Sequence, residues 1–307
     1  MMDCHLPALF IGCNRPELSK LSLERLRDAN PLYLFVDGPR PGDAGEHSAM
    51  LLLYEQVKRE RAGKVTQVLA PDKNLGQRDG PWVAIRWFLK AEGMGCIIED
   101  DILVAPEFLR AYSFSLRKHE SNKSIFALSS STTKTVLQSK VHPWVESNML
   151  FVWGWATWWD RIENITIPHT LWANNRGAIS QAFPRVVSRF YMQREFDMLA
   201  NLPNYCWSYY LQQYAIVQGW RSLVPSAKMS YNTGISEQSL RTKKGSDKQP
   251  CREHVGIMMS NLSNPVMAYS RKTEVSIEKE KHGSFLHELR NRLQIGRTLR
   301  KICHRAF

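Results

Sequence analysis

The stretch "CIIEDDILVAPEFL", residues 96–109, decides the fold. Its first residues are apolar and predict a buried strand, which ends abruptly in three carboxylates, Glu99, Asp100 and Asp101. Pro106 then predicts the start of a helix. Three adjacent acids repel one another and are costly to remove from water. Their position at the end of a buried strand therefore requires an explanation.

A divalent cation would explain the acidic triplet. Hard oxygen ligands select Mg²⁺ or Mn²⁺, and the charge of the ion lowers the cost of bringing carboxylates together. Such sites keep coordination positions open for phosphate oxygens, so the triplet predicts a nucleotide-diphosphate ligand whose leaving group the ion neutralises. The alternative is three solvated acids in a turn, because short motifs often match by chance.

Strands and helices alternate through residues 1–131. Near-continuous apolar runs predict strands at residues 7–15, 31–38, 64–71, the run ending at Glu99, and 124–131, with helices at 16–30, 45–63, 75–93 and from Pro106. This alternation indicates an α/β fold, with a mostly parallel sheet flanked by helices. Ligands of such sheets bind beyond the carboxyl ends of the strands, where Arg15, Asp37 and the acidic triplet lie.

The pattern changes after about residue 132, where a Trp-rich α+β portion is expected to complete a first domain of residues 1–235. Residues 221–234 predict a further strand. Residues 236–283 are polar and predict a flexible or edge segment, and residues 284–307 predict a basic amphipathic helix.

Composition limits the class of protein. The chain has 307 residues, 43% hydrophobic and 23% charged, which is ordinary for a soluble protein, and its net charge of +12 favours anionic partners. The six cysteines show no CxxC pairing, no stretch approaches the ~18 apolar residues of a membrane span, and the first residues lack a cationic leader. We therefore expect a cytoplasmic protein without a zinc site.

The chain resembles the GT-A glycosyltransferases, specifically the N-acetylglucosaminyltransferase I-like group and its bacterial relatives. The specific motif is the acidic block in residues 96–109, which matches an EDD-type variant of that group's DxD motif. The other matching stretches are "PALFIGCNRP" (7–16), "LFVDGPR" (34–40), "DKNLGQRDG" (72–80), "FVWGWATWW" (151–159), "WSYYLQQYAIVQGWRSLVP" (207–225) and "YNTG" (231–234). The resemblance implies a GT-A (Rossmann-like) fold, with residues 1–131 as donor-binding half and 132–235 as acceptor half.

The resemblance also implies roles for individual residues. Asp101 would ligate Mn²⁺ or Mg²⁺ at the diphosphate of a nucleotide-sugar donor, most simply a UDP-sugar, while Asp100 and Glu99 would hold the ribose and the sugar. The other implied donor contacts are Arg15, Asp37 and Arg78. For Arg15 and Asp37 the alternative is an ion pair within a turn, since turns favour Asp-Gly.

The acceptor side departs from the pattern of the resembling proteins. Inverting transferases need a carboxylate base for the acceptor hydroxyl, and those proteins carry an Asp just after the Trp that matches Trp207, where this chain has Ser208. A substituted base is our first interpretation; slow catalysis by positioning, or donor binding without transfer, remain alternatives. The substitute bases considered are Asp160, Glu195, Asp197 and Glu237.

Aromatic side chains predict the acceptor site. Trp153, Trp155 and Trp207 are expected to stack on sugar rings of a glycan or lipid-linked acceptor, although most Trp side chains in proteins serve as core. Residues 284–307 carry clustered Lys and Arg and predict peripheral association with an anionic membrane, on its cytoplasmic face. A solvated helix docked on its own domain is the alternative.

The sequence therefore predicts a metal-dependent, inverting glycosyltransferase, with a place in surface polysaccharide biosynthesis inferred from class and charge. A donor-binding pseudoenzyme is the first alternative. A sugar nucleotidyltransferase is disfavoured because "GCNRPELSK" (12–20) has no Gly-rich phosphate loop. A nucleic-acid-binding protein is not expected, because the sequence shows no RRM, KH or helix-turn-helix signature.

Overall fold

A computed structural model describes seven parts of the chain, namely residues 6–13, 15–42, 44–137, 139–167, 171–201, 206–233 and 252–282. Within them, eight strands form one sheet in the order β3-β2-β1-β4-β8-β6-β9-β7, and β5 pairs with β10 in a second, two-stranded sheet. The strands are β1 Ala8–Gly12, β2 Leu32–Val36, β3 Thr66–Leu69, β4 Met94–Glu99, β5 Ile102–Val104, β6 Ile125–Ser129, β7 Trp144–Ser147, β8 Trp155–Trp158, β9 Arg221–Pro225 and β10 Ser230–Asn232.

Helices connect and cover these strands. They are α1 Pro16–Arg25, α2 Ala44–Glu60, α3 Gly76–Glu92, α4 Phe108–His119, α5 Lys134–Leu137, α6 Trp159–Ile162, α7 Leu171–Asn174, α8 Ala178–Ala182, α9 Val186–Asn201, α10 Trp207–Val217, α11 Arg252–Ser260 and α12 Arg271–His282. The expected α/β fold is thus confirmed: every strand predicted in residues 1–131 is present, and helices flank the sheet.

The expectation of a mostly parallel sheet is wrong, because the sheet is mixed. β2 pairs with β1 and β3 in parallel, as β1 does with β4 and β6 with β9. In contrast, β8 lies between β4 and β6 and runs antiparallel to both, and β7 is antiparallel to β9. β8 begins at Trp155, which pairs with Ile97 near the end of β4 and with Ser129 at the end of β6, so β8 must run in the opposite direction.

Both faces of the sheet are buried, which is why its strands are apolar at successive positions. Ala8 and Phe10 belong to one hydrophobic cluster, with side chains of α1, α2 and α4. Leu9 and Ile11 belong to a second cluster on the opposite face, with α3 and α10. Full burial of such an apolar side chain stabilises the folded state by about 1.5–3 kcal/mol. Because successive side chains of β1 point to opposite faces of the sheet, helices packed on both faces are stabilised in this way.

The polar strand ends lie on one edge of this sheet. Ile11 pairs with Glu99, and Gly12 pairs with Val36, so β1, β2 and β4 end side by side. Residues 221–234, predicted as one strand, form β9 in the main sheet and β10 against β5. The pairing with β10 carries the chain back to the turn that follows the acidic triplet.

The predicted flexible or edge segment, residues 236–283, is described from residue 252 and contains α11 and α12. Between these helices, Met267 forms a β-bridge with Val145 at the edge of the sheet. The basic segment 284–307 lies outside the described residues. In the described parts of the chain, no helix has both the length and the apolar character needed to cross a membrane.

α12 presents polar side chains to the interior. Glu274 and Glu278 are fully buried, and His282 is 2% exposed, at positions four residues apart on one helix face. Burial raises the pKa of Glu274 from 4.5 to about 7, although hydrogen bonds from Ser147 and the Asn148 backbone oppose the shift. We therefore expect the stability of the folded protein, in which α12 is packed against the rest of the chain, to depend on pH.

The variant Glu274→Gln should alter the pH dependence of stability. Between pH 4.5 and about 7 the folded protein holds a proton that the unfolded chain has released, so the free energy of unfolding falls as pH rises through this window. Gln does not ionise. Relative to wild type, the variant should gain roughly 2–3 kcal/mol of stability between pH 5 and pH 8, measured by urea unfolding.

Glu253→Gln, an exposed position on α11, serves as the matched control and should behave as wild type at both pH values. A constant difference between Glu274→Gln and wild type at pH 5 and pH 8 would contradict the assignment.

Candidate functional site

Asp100 is a buried acid whose carboxylate is fully engaged. It is 2% exposed, and it accepts hydrogen bonds from the Cys13 backbone N–H at 3.1 Å and from Arg15 Nε at 3.1 Å and Nη2 at 2.5 Å. Burial raises the pKa of Asp100, and the Arg15 charge opposes that shift. A bidentate Arg–carboxylate pair is rigid and strong, so Asp100 fixes the guanidinium at the end of β1.

Hydrogen bonds hold the turn between β4 and β5 in place. The Ser22 hydroxyl of α1 lies 2.9 Å from the Asp100 carbonyl and 3.0 Å from the Ile102 carbonyl, and the Asp100 N–H donates to the Ile11 carbonyl at 3.1 Å. On the other side, Thr233 donates to the Asp101 carbonyl from its N–H and its hydroxyl. The acidic turn is therefore a rigid platform rather than a solvated loop.

Asp101 is the acid that retains an unsatisfied oxygen. Its Oδ2 lies 3.5 Å from Arg15 Nη2, and its side chain is 18% exposed. Its Oδ1 is buried and has no hydrogen-bond partner within the described chain. An unsatisfied buried acceptor costs about 1–3 kcal/mol. A cation at this oxygen would remove that cost.

Glu99 is the acid of the triplet whose ionised form is most disfavoured by its surroundings. Glu99 is partly buried, and this burial, followed by the charges of Asp101 and Asp100, raises the pKa of Glu99 to about 8. Arg15 only partly offsets the shift. At neutral pH Glu99 therefore favours its protonated form, and an added positive charge nearby would favour the ionised form.

The acids meet a divalent ion's requirements only in part. Throughout the described ranges, no three His, Cys, Asp or Glu side chains converge in a geometry that could hold a metal. Mg²⁺ and Mn²⁺ sites, however, commonly use one or two carboxylates and take the remaining oxygens from phosphate and water. The unsatisfied Asp101 oxygen fits that kind of site, in which the ligand completes the coordination.

Asp37 supports the neighbouring strand end. Its Oδ1 accepts from the Gly38 and Leu75 backbone N–H groups, and its Oδ2 accepts from the Gly76 N–H, all at 2.8 Å. A Cβ at Gly38 would lie 2.3 Å from the Lys73 backbone, so only glycine fits there. Asp37 therefore caps α3, as carboxylates do at helix starts, and a donor contact from Asp37 stays a prediction.

Arg78 links the two halves of the molecule. Its Nε and Nη2 donate to Asp79 at 2.6 Å and 2.8 Å, and it also interacts with the Tyr210 side chain of α10. The hydrogen bond with Asp79 is the largest cause that raises the pKa of Arg78. The arrangement orders the first turn of α3 against α10, although a nucleotide contact from Arg78 stays a prediction.

A pocket of about 610 Å³ opens at the carboxyl end of β6. Its wall is partly aromatic, and it includes Ser208 at the start of α10. The pocket is lined by residues 131–134, Leu137, 149–153, Tyr191, Met192, Ser208, Tyr209, Gln212, Lys228 and 280–282. The Trp153 carbonyl, at the rim, accepts from Ser230 Oγ at 2.7 Å in β10. Because β10 pairs with β5, the pocket and the acidic turn share one structural support.

Among the three predicted acceptor aromatics, the structure separates Trp153 from the others. Trp155 is fully buried and stacks on Trp207, itself 2% exposed, with ring centroids 5.8 Å apart. Their faces are used in packing between β8 and α10 and are closed to a sugar ring in this structure. Trp153 is partly exposed and lines the pocket.

The predicted bases lie at different places. Asp160 is the second residue of α6, two positions after Trp158, which pairs with Met94 at the start of β4. The Asp160 carboxylate accepts hydrogen bonds from Lys123 and Arg161. Asp160 is thus on the edge opposite the acidic triplet, which removes it as a base for a reaction there.

Two of the other candidate bases, Glu195 and Asp197, belong to α9, and the third lies outside the described residues. Asp197 accepts from Trp172 Nε1 at 2.7 Å and Arg176 Nη2 at 2.9 Å, and Glu195 is 6% exposed. Neither lines the pocket. Glu237 lies outside the described residues.

Sequence reasoning missed several residues of this site. Ser22, Thr233 and the Cys13 N–H act through the tertiary fold, and their sequence context gives no signal. The pocket-lining end of α12, which includes Lys281 and His282, lies in the polar segment 236–283, whose sequence predicts a flexible or edge segment rather than part of a site.

The chain matches no protein-family model, and a search of curated proteins finds no match.

Asp100 and Asp101 should differ in their effect on stability. Asp100→Asn weakens a buried, charge-assisted pair and should lower the free energy of unfolding by roughly 2–3 kcal/mol. Asp101→Asn removes a like charge beside Asp100 and Glu99, and it also removes the 3.5 Å ion pair with the partly exposed Arg15. These two effects oppose each other, so the variant should change stability by less than about 0.5 kcal/mol. Urea unfolding in EDTA measures both, and equal losses would show that the two acids are equivalent.

Proposed function

We propose that this protein is a metal-dependent glycosyltransferase that moves a sugar from a nucleotide-diphosphate sugar to a glycan or lipid-linked acceptor. The observation that carries the proposal is the buried, unsatisfied Asp101 oxygen beside Arg15, on the edge of the sheet where β1, β2 and β4 end. This is where ligands of α/β sheets bind. The resemblance of residues 96–109 to the EDD-type motif supports the same site.

Asp101 would hold Mn²⁺ or Mg²⁺. Bound there, the ion would supply Lewis-acid neutralisation of the diphosphate leaving group. Arg15, 41% exposed and oriented by Asp100, would face the donor with its remaining donors. Asp100 is therefore a positioning residue for Arg15 in this proposal, rather than the sugar contact implied by the resemblance. The charge of the ion would favour the ionised form of Glu99, which could then accept a hydrogen bond from the donor.

The pocket would receive the acceptor, since it adjoins the acidic turn and presents Trp153 at its wall. Inversion requires a group that takes the acceptor proton. Asp197 and Glu195 do not line this pocket, so the geometry does not support that role for them here, and the role of Glu237, outside the described residues, stays a prediction. Cytoplasmic location, surface polysaccharide biosynthesis and peripheral membrane association through residues 284–307 are parts of the same proposal.

Asp101→Asn should abolish Mn²⁺-dependent hydrolysis or transfer of a UDP-sugar while the protein stays folded. The variant keeps the shape of the side chain but loses the charge that would hold the ion. Donor turnover is measured by UDP release, and donor binding by thermal shift with UDP, with and without Mn²⁺. Asp28→Asn, at an exposed position 75% accessible on the amino-end side of β2, is the control and should keep wild-type turnover.

Full turnover in Asp101→Asn would contradict the metal role. Donor binding without Mn²⁺-dependent turnover in the wild-type protein would favour the second candidate function, a donor-binding pseudoenzyme. The observation behind that candidate is Ser208, whose hydroxyl lines the pocket where the resembling enzymes carry a carboxylate.

A further inference from the structure

The pocket beside Trp153 carries excess positive charge. Its charged lining residues are Lys134, Lys228, Lys281 and Glu280. Glu280 is engaged by the N–H groups of Lys134 and Thr135, at 2.6 Å and 2.8 Å, and by the Thr135 hydroxyl at 2.5 Å. These bonds and the Lys134 charge keep the pKa of Glu280 low, against its burial. The Glu280 carboxylate therefore holds α12 against α5. The lining contains three lysines and this one carboxylate, so positive charge is in excess.

Lys281 is held over the aromatic wall. Its Nζ lies 5.0 Å from the centroid of the Phe151 ring and 5.5 Å from that of the Trp153 ring, within the range of a cation–π contact. An ammonium has three donors, and a ring face satisfies none of them fully. Burial lowers the pKa of Lys281, and an anion bound beside it would oppose that shift. The wall thus combines apolar ring surface with a basic group.

His282 adds a neutral polar group to the same wall. It is 2% exposed, it stacks on Tyr191 at 4.5 Å, and neither of its ring nitrogens has a partner among the residues described. Burial, with the charges of Lys281 and Arg185, lowers the pKa of His282 to about 3. A neutral imidazole has one donor and one acceptor, which matches the two capacities of a hydroxyl group.

We propose that this pocket binds an anionic saccharide, a sugar that carries a carboxylate or a phosphate, with Lys281 paired to the anion and His282 hydrogen-bonded to a hydroxyl. Phe151 and Trp153 would hold the Lys281 ammonium beside the anion and would supply apolar surface next to the sugar ring. The identification of this ligand as the acceptor rests on the proposed function, whereas binding of the anionic saccharide itself does not.

The test uses the full chain in metal-free buffer without donor. Binding of glucuronate, glucose 6-phosphate and neutral glucose is compared by saturation-transfer NMR titration. At least one of the two anionic sugars should bind, with an affinity at least about tenfold above that of glucose, since a charge-assisted contact contributes roughly 1.5–3 kcal/mol. Tighter binding of glucuronate would indicate a carboxylate as the preferred anion, and tighter binding of glucose 6-phosphate would indicate a phosphate.

Lys281→Gln should weaken that binding by about tenfold or more. Lys279→Gln is the matched control, because Lys279 is exposed on the same helix and lies outside the pocket lining, and it should bind as wild type. His282→Phe should weaken the binding of the anionic sugars and of glucose by similar factors, because the lost hydrogen bond is to a hydroxyl group that all of them carry.

Equal affinity for glucose and the anionic sugars, no binding of either anionic sugar, or unchanged binding in Lys281→Gln would overturn the proposal. Asp101→Asn separates it from the proposed function, since that variant should keep saccharide binding while losing Mn²⁺-dependent turnover. Turnover that depends on Asp101 without anionic preference in the pocket would leave the transferase proposal standing and remove this one.

Discussion

The ion pair between Asp100 and Arg15 is the interaction on which the candidate site depends. Burying one carboxylate of the triplet is tolerated because a guanidinium and a backbone N–H satisfy it. The pair then fixes the direction of the next residue, so that Asp101 sits at the sheet edge with one oxygen unsatisfied. A motif of three acids is thus divided into one structural acid, one strained acid and one available acid.

The mixed sheet explains why a pocket forms beside this edge. Insertion of antiparallel β8 between β4 and β6 forces residues 149–154 across the carboxyl ends of the strands. Gly154, at φ +75°, makes the final turn where an added Cβ would approach Ser130, Ile102 and Ile98 within 3.1–3.4 Å. The same turn exposes Trp153 and buries Trp155. The acidic turn after β4 therefore lies next to a pocket whose wall contains aromatic and basic side chains.

The parts that sequence could predict are those encoded by local pattern. Continuous apolar runs revealed β1, β2, β4 and β6, and the acids after β4 indicated the edge where the site would lie. β8 has four buried residues and no alternation, so its direction depended on neighbours far along the chain. The donor contact of Asp37 stays a prediction, but its hydrogen bonds with Leu75 and Gly76 could not be inferred from sequence because these residues lie 38 and 39 positions away. α12 buries Glu274, Glu278 and His282, so apolar periodicity could not reveal its interior face.

The most direct test of the central claim is to locate the cation itself. Crystals grown with Mn²⁺ and UDP would show the ion by its anomalous scattering. We expect a peak within coordination distance of Asp101 Oδ1 that also contacts the diphosphate, with the Asp100–Arg15 pair intact. A diphosphate bound elsewhere, or a peak at this edge that does not contact Asp101, would contradict the metal site.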